Sequence, residues 1–215
     1  MKIIYQANKS YPEKLKNIYE PPKKLYLLGD EKILNKPSIA IIGCRQASDY
    51  GKKVAFQIAY ELSKKNIVII SGLARGIDTY GHLGAVKANK PTIAVLGSGF
   101  GNIYPAENKL LCKEIIKSGG AILTEYEPNI KAEKLNFPAR NRLISGLSLG
   151  VLVVEAKEKS GTLITVDHAL EQGKEVFAIP GNITNRNSNG TNELIKQGAK
   201  IVTKIEDILE ELKII

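Results

Sequence analysis

The chain has 215 residues, 43% hydrophobic and 25% charged, which suits one α/β domain with a sizeable core and excludes a disordered or fibrous protein. Its 31 Lys and Arg outnumber 22 Asp and Glu, giving a formal net charge of +9; this favours a polyanionic partner, although a lysine-rich surface also serves solubility alone. No apolar run reaches the roughly 20 residues that span a bilayer, and the apolar stretch after Met1 is too short for a signal peptide, so no membrane association and a cytoplasmic location are expected.

Residues 1–37 carry Tyr11-Pro12 and Pro21-Pro22 and read as an irregular or helical lead-in. Over residues 38–215, short β-branched runs alternate with helical patterns. Strands are expected at 38–42, 67–70, 92–96, 121–124, 151–155 and 176–179. Helices are expected at 50–64, 80–88, 106–117, 138–147, 163–172, 192–197 and 206–212. Residues 181–192, with five Asn and two Gly, read as an exposed loop before a helix capped at Thr191 or Asn192. Near-continuous apolar strands belong to a parallel sheet buried on both faces. The alternation predicts an α/β fold, an extended Rossmann-like, doubly wound, mostly parallel sheet in a single domain. The terminal helical segment, over 205–215, has an apolar stripe of Ile205, Ile208, Leu209 and Leu212 that serves either the core or a second copy.

The turns after the strands carry the functional signal. They are Gly43-Cys44-Arg45, Ser71-Gly72-Leu73-Ala74-Arg75-Gly76, Gly97-Ser98-Gly99-Phe100-Gly101 and Ser160-Gly161-Thr162. In a parallel sheet all four lie at the carboxyl edge, where helix N-termini and open backbone N–H groups attract anions. Together they predict a phosphate-binding groove, the alternative being that small residues there only make tight turns. The arginines agree: there are five, Arg45, Arg75, Arg140, Arg142 and Arg186, against 26 lysines. All sit in or beside Gly-, Ser- or Asn-rich segments, as bidentate phosphate contacts would.

Known phosphate cofactors do not fit. Gly97–Gly101 is G-x-G-x-G, the turn at Gly43 has no G-x-G, and the second strand ends in Ser71-Gly72 instead of an acid for a ribose. Gly51-Lys52 and Gly173-Lys174 lack the flanking residues of a P-loop. Cys44 and Cys112 fit neither a disulfide framework nor a zinc spacing, so no cofactor and no metal are expected. Ser148 lies in G-x-S-x-G, but a helix precedes it and a strand follows, the reverse of a nucleophile elbow, so it reads as a turn residue. His82 and His168 fall in helical patterns without triad partners and read as structural or surface residues. Asp78 and Asp167 read as helix-start or solvated acids.

The segment from Phe137 to Ser148 puts Pro138 in a first helical turn and Ala139, Leu143 and Leu147 on a core-facing stripe. Arg140 and Arg142, two apart, project about 200° from each other and cannot both reach one contact. Phe137 is either a staple residue or a ring for stacking a base.

These segments resemble the DNA-processing protein A family (DprA, also called Smf). The matching stretches are IAIIGCR from Ile39, SGLARGID from Ser71, TIAVLG from Thr92 and FPARNRLISGLS from Phe137. GVLVVEA from Gly150, SGTLIT from Ser160, EQGKEVFAIPG from Glu171 and GTNELIKQGA from Gly190 follow in family order, spanning residues 38–203. The resemblance implies a Rossmann-like domain that binds single-stranded DNA without cofactor or catalysis, dimerises, and hands incoming single strands to the RecA recombinase in natural transformation. By position it implies DNA contacts from Gly43, Arg45, Ser71, Gly72, Arg75, Ser160, Gly161 and Thr162. It adds Lys134 at the pocket rim with Phe137 as the stacking ring, and Arg140, Asn141 and Arg142 from the strongest signature.

Departures from the family are Cys44 for the usual Thr and Gly81 for the usual Ala. Many relatives also carry an N-terminal helical domain and a C-terminal winged helix. The short lead-in and single terminal helix here make this chain the expected equivalent of the central domain. Two other classes compete. A phosphoribohydrolase similar to the "lysine decarboxylase-like" group needs P-G-G-x-G-T-x-x-E, of which Ser160-Gly161-Thr162 keeps only the G-T and places Thr165 at the Glu. A purely structural adaptor is disfavoured by the charge and the loops.

Overall fold

A computed structural model describes residues 1–213, in which nine strands form one sheet. In chain order the strands are β1 (Lys2–Tyr5), β2 (Lys24–Gly29), β3 (Ser38–Ile42), β4 (Val68–Ser71), β5 (Thr92–Val95), β6 (Ala121–Thr124), β7 (Gly150–Val153), β8 (Glu175–Ala178) and β9 (Lys200–Ile201). They lie side by side as β1-β2-β6-β5-β4-β3-β7-β8-β9. Every pairing from β6 across to β9 is parallel, while β2 pairs antiparallel with β6 and β1 antiparallel with β2. The helices are α1 (Glu13–Lys16), α2 (Asp49–Lys64), α3 (Ile77–Lys87), α4 (Lys109–Lys117), α5 (Asn136–Leu147), α6 (Gly161–Glu171), α7 (Asn189–Lys196) and α8 (Glu206–Glu211).

The chain steps outward from β3 through β4 and β5 to β6, and α5 then returns it to β7 on the other side of β3. Strand order therefore reverses between β3 and β7, where the outgoing loops diverge and leave a crevice at the carboxyl edge. Alternate residues of β3 feed two cores. Ala40 and Ile42 pack with Leu143, Ile144 and Leu147 of α5 and Val166 and Ala169 of α6. Ile39 and Ile41 pack with Ala55, Ile58, Ala59 and Leu62 of α2 and with Ile205 and Ile208. A third core lies under α4, from Leu111, Cys112 and Ile115 to Ala94, Leu96 and Ile122. Each fully buried aliphatic side chain contributes about 1.5–3 kcal/mol, so the central strands hold the crevice walls rigidly.

Three expectations are corrected, and one open alternative is resolved. The lead-in contributes β1 and β2 to the sheet edge, because Leu25 and Leu27 point into a core that Tyr11 and Leu15 complete. Ala139 is exposed, and its expected place on the buried side of α5 is taken by Arg140, which is 4% exposed. The helix after the Asn-rich loop starts at Asn189, and Asn192 instead bridges to the backbone N–H and C=O of Gly181. The terminal stripe is spent on the core, with Ile208 fully buried and Leu209 and Leu212 packed beside it. The expected terminal helix ends at Glu211; residues 214–215, which that expectation includes, lie outside the described residues.

Candidate functional site

The crevice is a cleft of about 920 Å³. The loops after β3 and β4, the first turns of α5 and the start of α6 build it, with Tyr104, Lys134 and Lys157 at its rim. Five basic residues line it, Arg45, Arg75, Lys134, Arg140 and Lys157, against one carboxylate, Asp78. Low-dielectric walls around charges of one sign concentrate the field, so the cleft attracts anions.

Arg45 is the exposed cation of the floor. Its guanidinium lies over the Phe137 ring, 5.3 Å from the centroid, and it makes no hydrogen bond or ion pair to any described side chain or backbone group. The loop carrying it is fixed on both sides. The Cys44 N–H donates to the Glu155 carbonyl at 2.8 Å, and the Ile77 N–H donates to the Cys44 carbonyl at 3.2 Å. Gly76 has φ +74° and packs against the Cys44 and Arg45 backbone, where a Cβ has no room. The buried Glu155 carboxylate accepts from the Ser48 N–H at 2.9 Å and from the Ser48 hydroxyl, tying the loop's far end to β7. A guanidinium so placed is preorganised and has all its donors open.

Beneath it lies a buried charge pair arranged around Gly72. Arg140 Nη1 donates to the Gly72 carbonyl at 2.8 Å and to the Val95 carbonyl. Asp78 Oδ2 accepts from the Gly72 N–H at 3.0 Å and the Ala74 N–H at 3.3 Å. Burial drags the Arg140 guanidinium down to about 10, which leaves it charged at neutral pH. Burial likewise pushes the Asp78 carboxyl above the usual carboxylate range, with Arg140 and the two amides opposing. The open amides expected on this turn are therefore spent on Asp78. Arg140 adds positive potential to the floor, but its Nη1 is committed to the Gly72 and Val95 carbonyls.

The start of α6 is different. Ser160 precedes it without capping it, and the N–H groups of Gly161 and Thr162 have no partner among the described residues. They face the cleft as a helix N-terminus, where unpaired donors and the macrodipole favour an anion.

Of the residues singled out from the sequence, Gly43, Arg45, Gly72, Arg75, Lys134, Phe137, Arg140, Asn141, Ser160, Gly161 and Thr162 all line this one cleft. Two do not. Ser71 is fully buried and donates to the Ile41 carbonyl at 2.6 Å. Arg142 turns the opposite way from Arg140, as their two-residue spacing requires. It donates to the Glu125 carboxylate at 2.7 and 2.8 Å and to the Glu20 carbonyl, fastening the lead-in to α5. The Gly97–Gly101 turn is also outside. Gly99 and Gly101 N–H groups donate to the Ile130 and Pro128 carbonyls, and a Cβ on Gly99 would strike the Glu127 carbonyl, so its glycines serve a close backbone approach. What this turn delivers to the rim is Tyr104, which the sequence reading passed over. Lys157 was missed too; its signal was a lysine between a buried strand and a Ser-Gly helix start.

The Ser and His residues weighed as catalytic candidates lie outside the cleft. Ser148 is buried at the end of α5, donating to the carbonyls of Ile144 and Ser145. His82 is fully buried with Nδ1 2.8 Å from Thr92 Oγ1, and His168 lies 3.5 Å from Glu171 on the surface of α6. Among the described residues no helix is long and apolar enough to cross a membrane, and no cluster of His, Cys, Asp and Glu is arranged to hold a metal.

A family model described as DNA recombination-mediator protein A matches residues 2–213. DNA processing protein DprA of Bacillus subtilis (strain 168) is 48% identical over 207 residues, covering 96% of this chain and 69% of that protein. The X-ray structure of DprA from Streptococcus pneumoniae superposes with a TM-score of 0.92 at 42% identity, over 98% of this chain and 74% of that one. The Helicobacter pylori DNA processing protein A, solved for its single-stranded DNA binding mode, superposes with a TM-score of 0.88 at 34% identity, over 99% and 96%.

Proposed function

The chain belongs to the DNA recombination-mediator protein A family, and from that premise we propose that it binds single-stranded DNA in the carboxyl-edge cleft. It shields incoming single strands there and helps load a RecA-type recombinase on them during natural transformation. The observation that carries the DNA part is Arg45: an exposed guanidinium on a rigid loop, with open donors, beside the unpaired N–H groups of Gly161 and Thr162. One phosphate can take the guanidinium fork, and a neighbouring one the α6 N-terminus and Lys157. Lys134, also lining the cleft, adds a further cation for the strand. Phosphate contacts carry no base information, so binding tolerates sequence.

The protein acts in the cytoplasm, as a homodimer, and without bond chemistry. Support for the last comes from the cleft itself, whose one lining carboxylate, Asp78, is tied to the Gly72 and Ala74 amides. Thr165 stands where a phosphoribohydrolase of similar fold requires its Glu.

Filter binding with oligo-dT and a duplex of equal length tests the reading. Preferential retention of the single strand is expected, and equal retention of both contradicts it. Sedimentation should give about twice 23.5 kDa. A clean monomer at about 50 µM, a concentration far above the affinity range of stable dimers, contradicts the dimer. Faster RecA filament formation on single strands is expected when the protein is added, and no change removes the loading role.

A further inference from the structure

At the end of the sheet opposite the cleft, two lysines come to one place. The register pairs Ile39 with Gly150 and Gly150 with Glu175, so one residue earlier Ser38, Leu149 and Lys174 stand level at the amino edge. With strands about 4.8 Å apart, Lys174 begins roughly 10 Å from Ser38, a gap that two long side chains span. Ser38 and Lys174 keep the parity of Ala40 and Val176, which enter the core under α5 and α6. Lys14 reaches the same face from α1. Its Nζ donates to the Ser38 hydroxyl at 3.2 Å and to the Lys36 and Leu147 carbonyls at 3.1 Å each. Glu175, next after Lys174, has the opposite parity and is exposed.

The two amines are not equivalent. Lys14 has an acceptor for each of its three donors, one of them the carbonyl that ends α5, where the helix dipole favours a cation. Lys174 is half-buried, and its Nζ has no hydrogen-bond or ion-pair partner among the described residues. Burial lowers the Lys174 amine, while burial and the Lys174 charge bring Lys14 down to about 8. Lys14 therefore stays mostly charged at neutral pH and is held in place. Lys174, whose proton gains no partner, is the amine free to act as a nucleophile.

A free amine beside a fixed cation suits an acyl group activated by a phosphate. We propose that Lys174 is an acylation site for acyl phosphates, with Lys14 as the cation that draws the phosphate in and stabilises it as it leaves. The Lys174 Nζ lone pair forms a bond to the acyl carbon. The bond from that carbon to the phosphate oxygen breaks, inorganic phosphate departs with the electron pair, and the amine proton passes to water. The product amide is neutral, so it removes a charge that burial disfavours and that repels Lys14. Neither lysine lines the cleft, and the site is independent of the DNA reading.

Acetyl phosphate is the probe, with acetylation of each lysine followed by peptide mass spectrometry on the folded protein at neutral pH. Lys174 should be modified several-fold faster than Lys113 and Lys117, which are exposed on α4. In denaturing urea the three should react alike. Lys14→Gln should slow Lys174 several-fold, while Lys14→Arg, which keeps the cation, should retain the wild-type rate. Lys174 reacting no faster than the α4 lysines, a preference that survives in urea, or acetylation of Lys14 in its place overturns the site. Equal rates in the two Lys14 variants overturn the part given to Lys14.

Discussion

Arg75 lays its guanidinium against the Glu107 carboxylate, with Nε and Nη2 each donating at 2.8 Å. The pair is solvent-exposed, and Arg75 holds the Glu107 carboxyl below the usual carboxylate range through these bonds. The carboxylate thus occupies the fork that a phosphate would take. Glu107→Gln is expected to free that fork and tighten single-strand binding a few-fold at low salt, with the gain fading as salt screens the charges. Filter binding at low and high salt checks this; an unchanged affinity at low salt removes Arg75 from the DNA path.

Gly72 is the point where the two buried charges meet. A Cβ there would lie 2.6 Å from Arg140 Nη2 and 2.8 Å from Asp78 Oδ2, and both groups are pinned by their own hydrogen bonds. Gly72→Ala is therefore expected to destabilise the fold by about 1–3 kcal/mol, the range for overpacking a rigid site. Urea unfolding should show a lower midpoint at an unchanged slope, and an unchanged midpoint contradicts this.

His82 sets the acid limb of stability. Burial, with the Arg140 charge adding to it, pulls its imidazole from 6.5 down to about 3. Between those values the unfolded chain binds a proton that the folded one refuses, so stability falls as pH drops below 6.5. The loss reaches up to about 2 kcal/mol by about pH 5. Asp78, whose carboxyl is raised by burial, works with the opposite sign. Chemical unfolding at several pH values should show a shallower acid limb in His82→Gln than in the wild type, and parallel limbs contradict this.

The nucleotide cofactors that share this sheet architecture are expected to bind no tighter than roughly millimolar, about 4 kcal/mol. The Gly99 and Gly101 amides are spent on the Ile130 and Pro128 carbonyls, and β4 ends in the buried Ser71 instead of an acid for a ribose. Calorimetric titration with NAD and ATP checks this, and a micromolar isotherm for either contradicts it.

Apolar runs made the parallel strands legible in the sequence, since strands buried on both faces carry their own signature in Ser38–Ile42 and Ala121–Thr124. The edge strands were not: in Lys24–Gly29 the neighbouring Pro21-Pro22 masked a short apolar run. Glycine-rich turns correctly marked the carboxyl edge, but spacing alone does not tell a glycine that bares an amide from one that lets backbones touch. Gly161 and Gly99 look alike in sequence, and one has an unpaired N–H in the cleft while the other is sewn to residue 130. The two-residue spacing of Arg140 and Arg142 did show that they diverge; that both end on protein acceptors depends on Gly72, Val95 and Glu125, which only the fold brings near.

The central claim is that a built pocket anchored by Arg45, and not diffuse positive charge, holds single-stranded DNA. Filter binding of oligo-dT to wild type, Arg45→Ala and Lys213→Ala across a salt series tests it most directly. If about four phosphates are neutralised, the wild-type slope of log K against log salt is near −3, from about −0.7 per phosphate. Arg45→Ala should flatten that slope by roughly one contact and weaken binding by about 1.5–3 kcal/mol, the range for a charged hydrogen bond. Lys213, exposed beyond α8 and absent from the cleft lining, should change little. Equal losses of affinity and slope in the two variants would contradict the account.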